Sequence, residues 1–535
     1  MSTIKLARIF SDGAVLQRGK DIRIWGFCEE GEKVRVTFAG KTYDCAGDER
    51  GRFEITAPAM DAGGPYTIEA TGDKGGSVSC SGVMIGDVII ISGQSNMEFP
   101  MEGVKDTYPD EWEPPFDCSI RTFKVIENGV FGEPLSEVET GEWKKLSADT
   151  IDAFSAVGYF TAKHIRLEED VTVGLVDLTL GGAPIEAFMS IEDLNGFDEA
   201  LSDARRFEDD EYRLGVLHDN EANEAKWRDE LDTDDTGLKE GYEDGNKILS
   251  DGRDIVLPDF FSDTELDGFI GSVWIARTFT VPKEYVNKPA LLWFGAITDY
   301  DFCYINGKFV GSTDFCYPPR RYNVPEGLIT EGENTIVFRI CVEKGYGRIT
   351  PGKLYALIYG KGARTTDGFL EGFSGADHIE VLTGVWKYLI GAKCARSADP
   401  VFVNWKPTAL YNGMMAPLAG IAAKAFAFYQ GESNCGRAKE YVELTGRFVQ
   451  RIRKMWGDIP YICVQLPDFT ARMEEISYDG GKAWRALMKA QEECQSIHDF
   501  YLVRSYGWGE LNDLHPQRKE PIGKEIAKVV LSMNR

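Results

Sequence analysis

Ser95 closes the run Val88-Ile89-Ile90-Ile91-Ser92-Gly93-Gln94-Ser95-Asn96-Met97. A β-branched apolar stretch that stops at Gly-Gln-Ser-Asn predicts a buried parallel strand. It delivers a serine to the turn at its carboxyl end, the edge where open α/β sheets bind ligands. Gly93 lets the backbone turn tightly. A serine in that place is either a nucleophile or a plain helix cap, and these ten residues do not choose between the two.

A serine hydroxyl becomes nucleophilic near neutral pH only beside a base. The chain holds five histidines. His164 falls in an amphipathic helical pattern, and His218 in an acidic, solvated stretch. His378 precedes a strand-like turn, and His498 follows a helix whose C-terminus suits a cation. His515 differs. It lies in Asn512-Asp513-Leu514-His515-Pro516, just before a predicted helix over 517–533. An acid two residues ahead, in a proline-stiffened loop, can orient the imidazole and stabilise its charged form. Ser95, His515 and Asp513 thus make a candidate acyl-transfer set, with a helix N-terminal acid as the alternative for Asp513.

Acyl transfer also needs donors for a developing oxyanion, and small residues let backbone N–H groups approach. Two further strand ends offer them: Gly181-Gly182 after Val173–Leu180, and Gln430-Gly431-Glu432-Ser433-Asn434 after Ala425–Tyr429. The elements behind these loops read as apolar strands separated by helix-capable segments, one of them near 436–455. That pattern predicts a parallel α/β sheet with its loops gathered on one edge.

Residues 1–80 alternate apolar and polar positions between Gly- and Asp-rich turns, as in Val34-Arg35-Val36-Thr37-Phe38, and predict a β-sandwich. The α/β pattern occupies 81–192 and resumes at 380–535. Between them lies an insertion, 193–379. Its first part, 193–267, is acidic (Glu208-Asp209-Asp210-Glu211) and predicts a solvated helical or loop segment. Its second part, 268–379, returns to β texture with an Asn306-Gly307 hairpin signal. The fold class is therefore α/β, with an N-terminal β-sandwich and an inserted β domain.

The chain of 535 residues carries a formal net charge of −27. That balance excludes nucleic acid and anionic membranes as natural partners. No run is long and apolar enough to span a bilayer. No secretory leader is visible, and the eleven cysteines lack paired metal-ligand spacing. They read as small buried hydrophobes in a reducing compartment, with the cytoplasm as the expected location and no metal site.

The ordered set GQSN, GG, GESN and DLHP resembles the SGNH (GDSL-like) hydrolases. Within them it is most similar to the sialate O-acetylesterase-like carbohydrate esterases, over 1–192 and about 380–535. The matching text includes Gly86-Asp87-Val88, Gly181-Gly182-Ala183-Pro184-Ile185-Glu186-Ala187, Tyr411 to Leu418, and Tyr429 to Asn434. The insertion resembles the jelly-roll sugar-binding domains of β-galactosidase-type glycoside hydrolases. The resemblance implies a three-layer α/β/α fold and removal of O-acetyl groups from sugars. Plant polysaccharide fragments such as xyloglucan or xylan, or sialic acid, are the implied substrates, and no cofactor is needed. It implies Ser95 as nucleophile, His515 as base and Asp513 as orienting acid. Oxyanion or substrate contacts would come from the Ser95 and Gly182 amides, Gln94, and one of Gln430, Ser433 or Asn434. Glu432 is a further group able to orient His515. Two departures stand out. Leu180 and Ala183 flank the glycine pair where the family has Trp and Thr, and GESN replaces the simpler GxND. A sugar-binding protein without catalysis, or a glycoside hydrolase with paired carboxylates, would be the alternatives.

Overall fold

In the computed structural model, Ser77–Gly93 is one continuous strand of 17 residues (β1). The structure is described for residues 4–360, 375–467, 469, 481–505, 507–510 and 513–533. The chain divides into two compact units, Met1–Arg213 with Phe402–Arg535, and Leu214–Val401.

In the first unit, β1 belongs to two sheets. Its first half pairs antiparallel with Gly63–Gly72 and then parallel with Val15–Gln17. From Asp87 onward it pairs parallel with Val173–Thr179 (β3) on one side and, from Ile89, with Ala425–Tyr429 (β4) on the other. Ile120–Lys124 (β2) extends the parallel sheet beyond β3, and Tyr461–Val464 (β5) and Phe500–Val503 (β6) extend it beyond β4. The order is β2-β3-β1-β4-β5-β6. Successive strands lie to opposite sides of β1, so its carboxyl end is the switch point where such sheets open a crevice.

From Ile85 to Gly93 both faces of β1 are buried, which explains the apolar run Val88–Ile91. Val88 and Ile90 join the core that includes Phe448 of helix Ala438–Trp456 (α3) and Leu487 of helix Lys482–Glu493 (α4). Ile89 and Ile91 join the core of Phe160 and Ile526, from helices Ala156–Glu168 (α2) and Glu520–Ser532 (α5). Each such side chain contributes roughly 1.5–3 kcal/mol on burial. Residues 5–85 form two mainly antiparallel layers of strands whose apolar side chains (Trp25, Phe38, Phe53) continue into the same core as Ile90. The expected sandwich therefore shares its interior with the α/β sheet.

The second unit is mostly β. A six-stranded antiparallel sheet and a four-stranded one enclose a core with Ile275, Phe338 and Trp386 from the first and Leu292 and Tyr355 from the second. Asn306 and Gly307 take left-handed conformations (φ 49° and 73°) at the turn between Tyr300–Ile305 and Lys308–Thr313, as that dipeptide predicts. Helix Asp210–Asp234 is the longest helix of the acidic stretch and buries only Trp227 and Leu231. Asp235 is the exception, sealed and accepting from Trp274 Nε1 (2.9 Å), Ser272 Oγ (2.6 Å) and Arg339 Nε (2.7 Å).

One boundary is corrected. The α/β pattern does not resume at 380. Gly384–Lys393 pairs antiparallel with Arg253–Leu257 and Gly271–Phe279, and His378–Val381 pairs with Tyr355–Tyr359. An apolar run of this length fits either sheet, and only its pairing partner decides.

Gly93 ends β1 with φ +124°, and a Cβ there would lie 2.2 Å from the Tyr429 carbonyl oxygen. Gly93→Ala is expected to destabilise the first unit by about 2 kcal/mol or more through clash and backbone strain. A lowered urea midpoint checks this, and an unchanged midpoint contradicts it.

Candidate active site

Three strand ends and the loop before α5 converge at the carboxyl edge of the parallel sheet. After the Gly93 turn, the Gln94 amide bonds the Tyr429 carbonyl at 3.0 Å, and Ser95 opens a short helix, Ser95–Glu98 (α1). Because Ser95 is its first residue, its N–H has no acceptor inside that helix.

His515 Nε2 lies 2.8 Å from Ser95 Oγ. The imidazole is 8% exposed and stacks on Phe99, with centroids 5.8 Å apart and planes at 10°. Its loop is braced on both sides: Asp513 Oδ1 accepts the His515 amide at 2.9 Å, and Glu510 Oε1 accepts the Gln517 amide at 2.7 Å. Burial pushes the imidazole down from its ordinary 6.5 to about 4. The Asp513 charge opposes that shift and the Lys519 cation adds to it. A neutral imidazole facing a hydroxyl can take its proton, and Asp513 favours the cation that results.

Gly181 and Gly182 lie beside the serine. A Cβ on Gly181 would sit 3.7 Å from Ser95 Cβ. The Gly181 N–H donates to Glu98 Oε2 at 2.6 Å, and Glu98 is paired with Lys124 at 3.0 Å. The Gly182 N–H donates to no acceptor among the described residues. Gly182 has φ +74°, and Trp405 covers it so closely that a Cβ would lie 1.9 Å from the indole Cζ2.

The Gln430–Asn434 block braces the site. Gln430 and Asn434 are wholly buried. Gln430 Nε2 donates to Ala183 O (3.2 Å) and Asn434 Oδ1 (2.7 Å). Asn434 Nδ2 donates to Glu186 Oε2 at 2.9 Å, and its Oδ1 accepts the Ile185 amide at 3.0 Å. Of the three expected donor candidates in this block, these two are sealed and their amide groups are taken up by protein partners. Ser433 is exposed, and its hydroxyl donates to Gly182 O at 2.7 Å, so it fixes the glycine loop. Gln94 is 2% exposed, and its Oε1 accepts the amides of Gly431 and Ser433, each at 3.4 Å. It ties two loops together.

Glu432 reaches the histidine loop through Asn96. Asn96 Nδ2 donates to Glu432 Oε1 (2.7 Å) and to Leu514 O (3.1 Å), while its Oδ1 accepts Lys519 Nζ at 2.6 Å. Glu432 Oε2 is sealed with no hydrogen-bond partner among the described residues, and burial raises its carboxyl above the ordinary range. Burial pushes Lys519 down to about 7, against the pull of Glu432, Glu510 and Asp513. Asn96, Phe99, Lys519, Glu510 and Trp405 were not singled out from sequence. Asn96 lies inside the quoted motif, and Lys519 follows His515 by four residues, just before α5. Nothing local marks Trp405.

No protein-family model matches the chain. A stretch of 189 residues, 31% of this chain, is 26% identical to the sialate O-acetylesterase of Mus musculus and covers 34% of it. The Rattus norvegicus sialate O-acetylesterase matches over 192 residues, also at 26% identity and 34% of its length. The chain therefore spans about a third of those relatives. A further 132 residues, 24% of the chain, are 24% identical to a β-glucuronidase of Paenibacillus borealis, over 22% of its length. The fold superposes on the crystal structure of a carbohydrate acetylesterase from Xanthomonas citri. That match covers 98% of this chain and 74% of the other, with a TM-score of 0.56 and 20% identity.

Over the stretch it shares with them, the chain resembles the sialate O-acetylesterases.

An indole from elsewhere in the chain, Trp405, covers Gly182. Asn434→Ala is expected to cost about 1–3 kcal/mol, because Glu186 and the Ile185 amide lose a buried partner. Ser433→Ala, at an exposed position, is expected to cost less than about 1 kcal/mol. Urea unfolding of the two variants checks the order, and the reverse order contradicts it.

Proposed function

We propose that the protein is a serine carbohydrate esterase that removes O-acetyl groups from sugars. The observation that carries this reading is the 2.8 Å contact between Ser95 Oγ and a buried His515 Nε2. Ser95 attacks the acetyl carbonyl while His515 takes its proton. The amides of Ser95 and Gly182 meet the oxyanion, and each such donor lowers the barrier by about 3 kcal/mol. The sugar oxygen leaves with the proton from the imidazolium, which Asp513 stabilises. Water then attacks the acetyl-enzyme with His515 again as base.

The sequence likeness to sialate O-acetylesterases and the fold likeness to a carbohydrate acetylesterase support acetylated sugars as the substrate class. Fragments of xyloglucan or xylan, or sialic acid, are the candidate substrates. We read the first unit as an SGNH-type three-layer fold with an N-terminal sandwich, and the second as an inserted jelly roll. A non-catalytic sugar-binding role would leave the serine–histidine contact unused. The β-glucuronidase match is partial, which disfavours glycoside hydrolysis.

Acetate release from acetylated xyloglucan, xylan, mannan and sialic acid tests the reading. Ser95→Ala is expected to cut release on any accepted substrate by about a thousandfold or more, with an unchanged circular dichroism spectrum. Undiminished release by that variant contradicts it.

The pH profile is a separate prediction. His515 remains neutral until pH falls toward about 4, so kcat/KM should hold through the range where an ordinary histidine has already charged. The unfolded chain takes up this proton first, near 6.5, so stability falls as pH drops from there toward 4. Lys519→Met removes a neighbouring cation and makes the imidazolium easier to form. The acidic limb of kcat/KM should then move up, by as much as about one pH unit. A limb that stays or moves down contradicts the electrostatic account.

A further inference from the structure

Beside Gly182 the chain displays an aromatic pair whose inner ring, Trp405, packs on the core and on Gly182 and whose outer ring, Phe402, is open. Phe402 and Trp405 stack with centroids 3.9 Å apart and planes at 27°. Phe402 is 47% exposed and Trp405 is half-buried. The turn that carries them is held firmly: the Trp405 amide bonds Phe402 O at 3.1 Å, and Asn404 Oδ1 accepts the Gly129 amide at 3.1 Å. Lys406 Nζ reaches Asp203 Oδ2 at 3.1 Å.

The Trp405 indole N–H donates to no acceptor among the described residues, and it is not among the sealed polar atoms. Seven other indole N–H groups in the chain donate to protein acceptors. The ring carbon bonded to this nitrogen, Cε2, would lie 2.5 Å from a Cβ on Gly182. The indole therefore adjoins the glycine whose amide is free, one residue from the glycine against Ser95. A rigid aromatic face with one unused donor, beside a nucleophile, is what a ligand with both C–H faces and hydroxyls can use.

We propose that Phe402 and Trp405 form the seat for the sugar ring whose ester Ser95 opens, with the ring stacked on the exposed face of Phe402 and a sugar hydroxyl accepting the indole N–H. The proposal rests on the esterase reading above. It also commits to a neutral sugar. Among the described residues the cations on the neighbouring loops are paired, Lys406 with Asp203, Arg437 with Glu186 and Lys124 with Glu98, and none of the three offers a free counter-charge to a carboxylated sugar.

The test compares kcat/KM on acetylated xylo-oligosaccharide with that on ethyl acetate, which has no ring to seat. Trp405→Ala is expected to lower the sugar-ester value at least tenfold more than the ethyl acetate value. Phe402→Ala, at an exposed ring, should shift the ratio in the same direction, and Trp405→Phe should fall between wild type and Trp405→Ala. Equal losses on both esters overturn the proposal. Faster turnover of acetylated sialic acid than of any neutral sugar overturns the neutral-sugar assignment. Calorimetric titration of full-length Ser95→Ala with unacetylated xylo-oligosaccharide separates this proposal from the esterase reading. Binding that weakens at least tenfold on adding Trp405→Ala supports the seat even if no acetate is ever released. Binding that is indifferent to Trp405 overturns it even if Ser95 proves to be the nucleophile.

Discussion

A hydroxyl at the end of one strand has to meet an imidazole 420 residues further along the chain, and they meet at 2.8 Å. Everything around the site serves that contact. On the serine side, the second half of β1 is buried on both faces and ends at a glycine pressed against the Tyr429 carbonyl, so Ser95 has little freedom. On the histidine side, the loop is tied by Asp513, Glu510 and the Leu514 carbonyl before α5 begins. Positioning of this kind removes the entropy of bringing base and nucleophile together.

Asn96 is the joint between the two sides. It follows the nucleophile directly and bonds Glu432, Leu514 and Lys519 at once. The acid and the amine it bridges are both in a low-dielectric setting, where each alone would be expensive to charge. Their sharing of one amide holds three segments in register. The same burial keeps the imidazole in its basic form, and the nearby ammonium strengthens that tendency. Fixed charges and desolvation thus set the protonation state of the base before any ligand arrives.

What the sequence revealed follows the range of the interactions involved. The strand ending at Ser95, the glycine pair and the histidine loop are local signals, and the structure brings them to one edge. The Asn306-Gly307 turn is equally local. The strand Gly384–Lys393 was misassigned because an apolar run does not name its pairing partner. Gln430 and Asn434 looked like donors because polar residues on a strand-end loop usually face a cleft, but here they are sealed beneath it. Lys519 reads as a surface residue at the start of an amphipathic helix, and Trp405 as an ordinary aromatic. Their positions at the site depend on packing between distant segments, which no window of sequence contains.

Fluorophosphonate labelling tests the central claim, that His515 activates Ser95, without assuming a substrate. Intact protein should label at one residue, identified as Ser95 by peptide mass. His515→Ala should slow that labelling by about a hundredfold or more, in line with the loss of a general base. Labelling of Ser95 at an equal rate in the two proteins, or no labelling of Ser95 in the intact protein, would contradict the account.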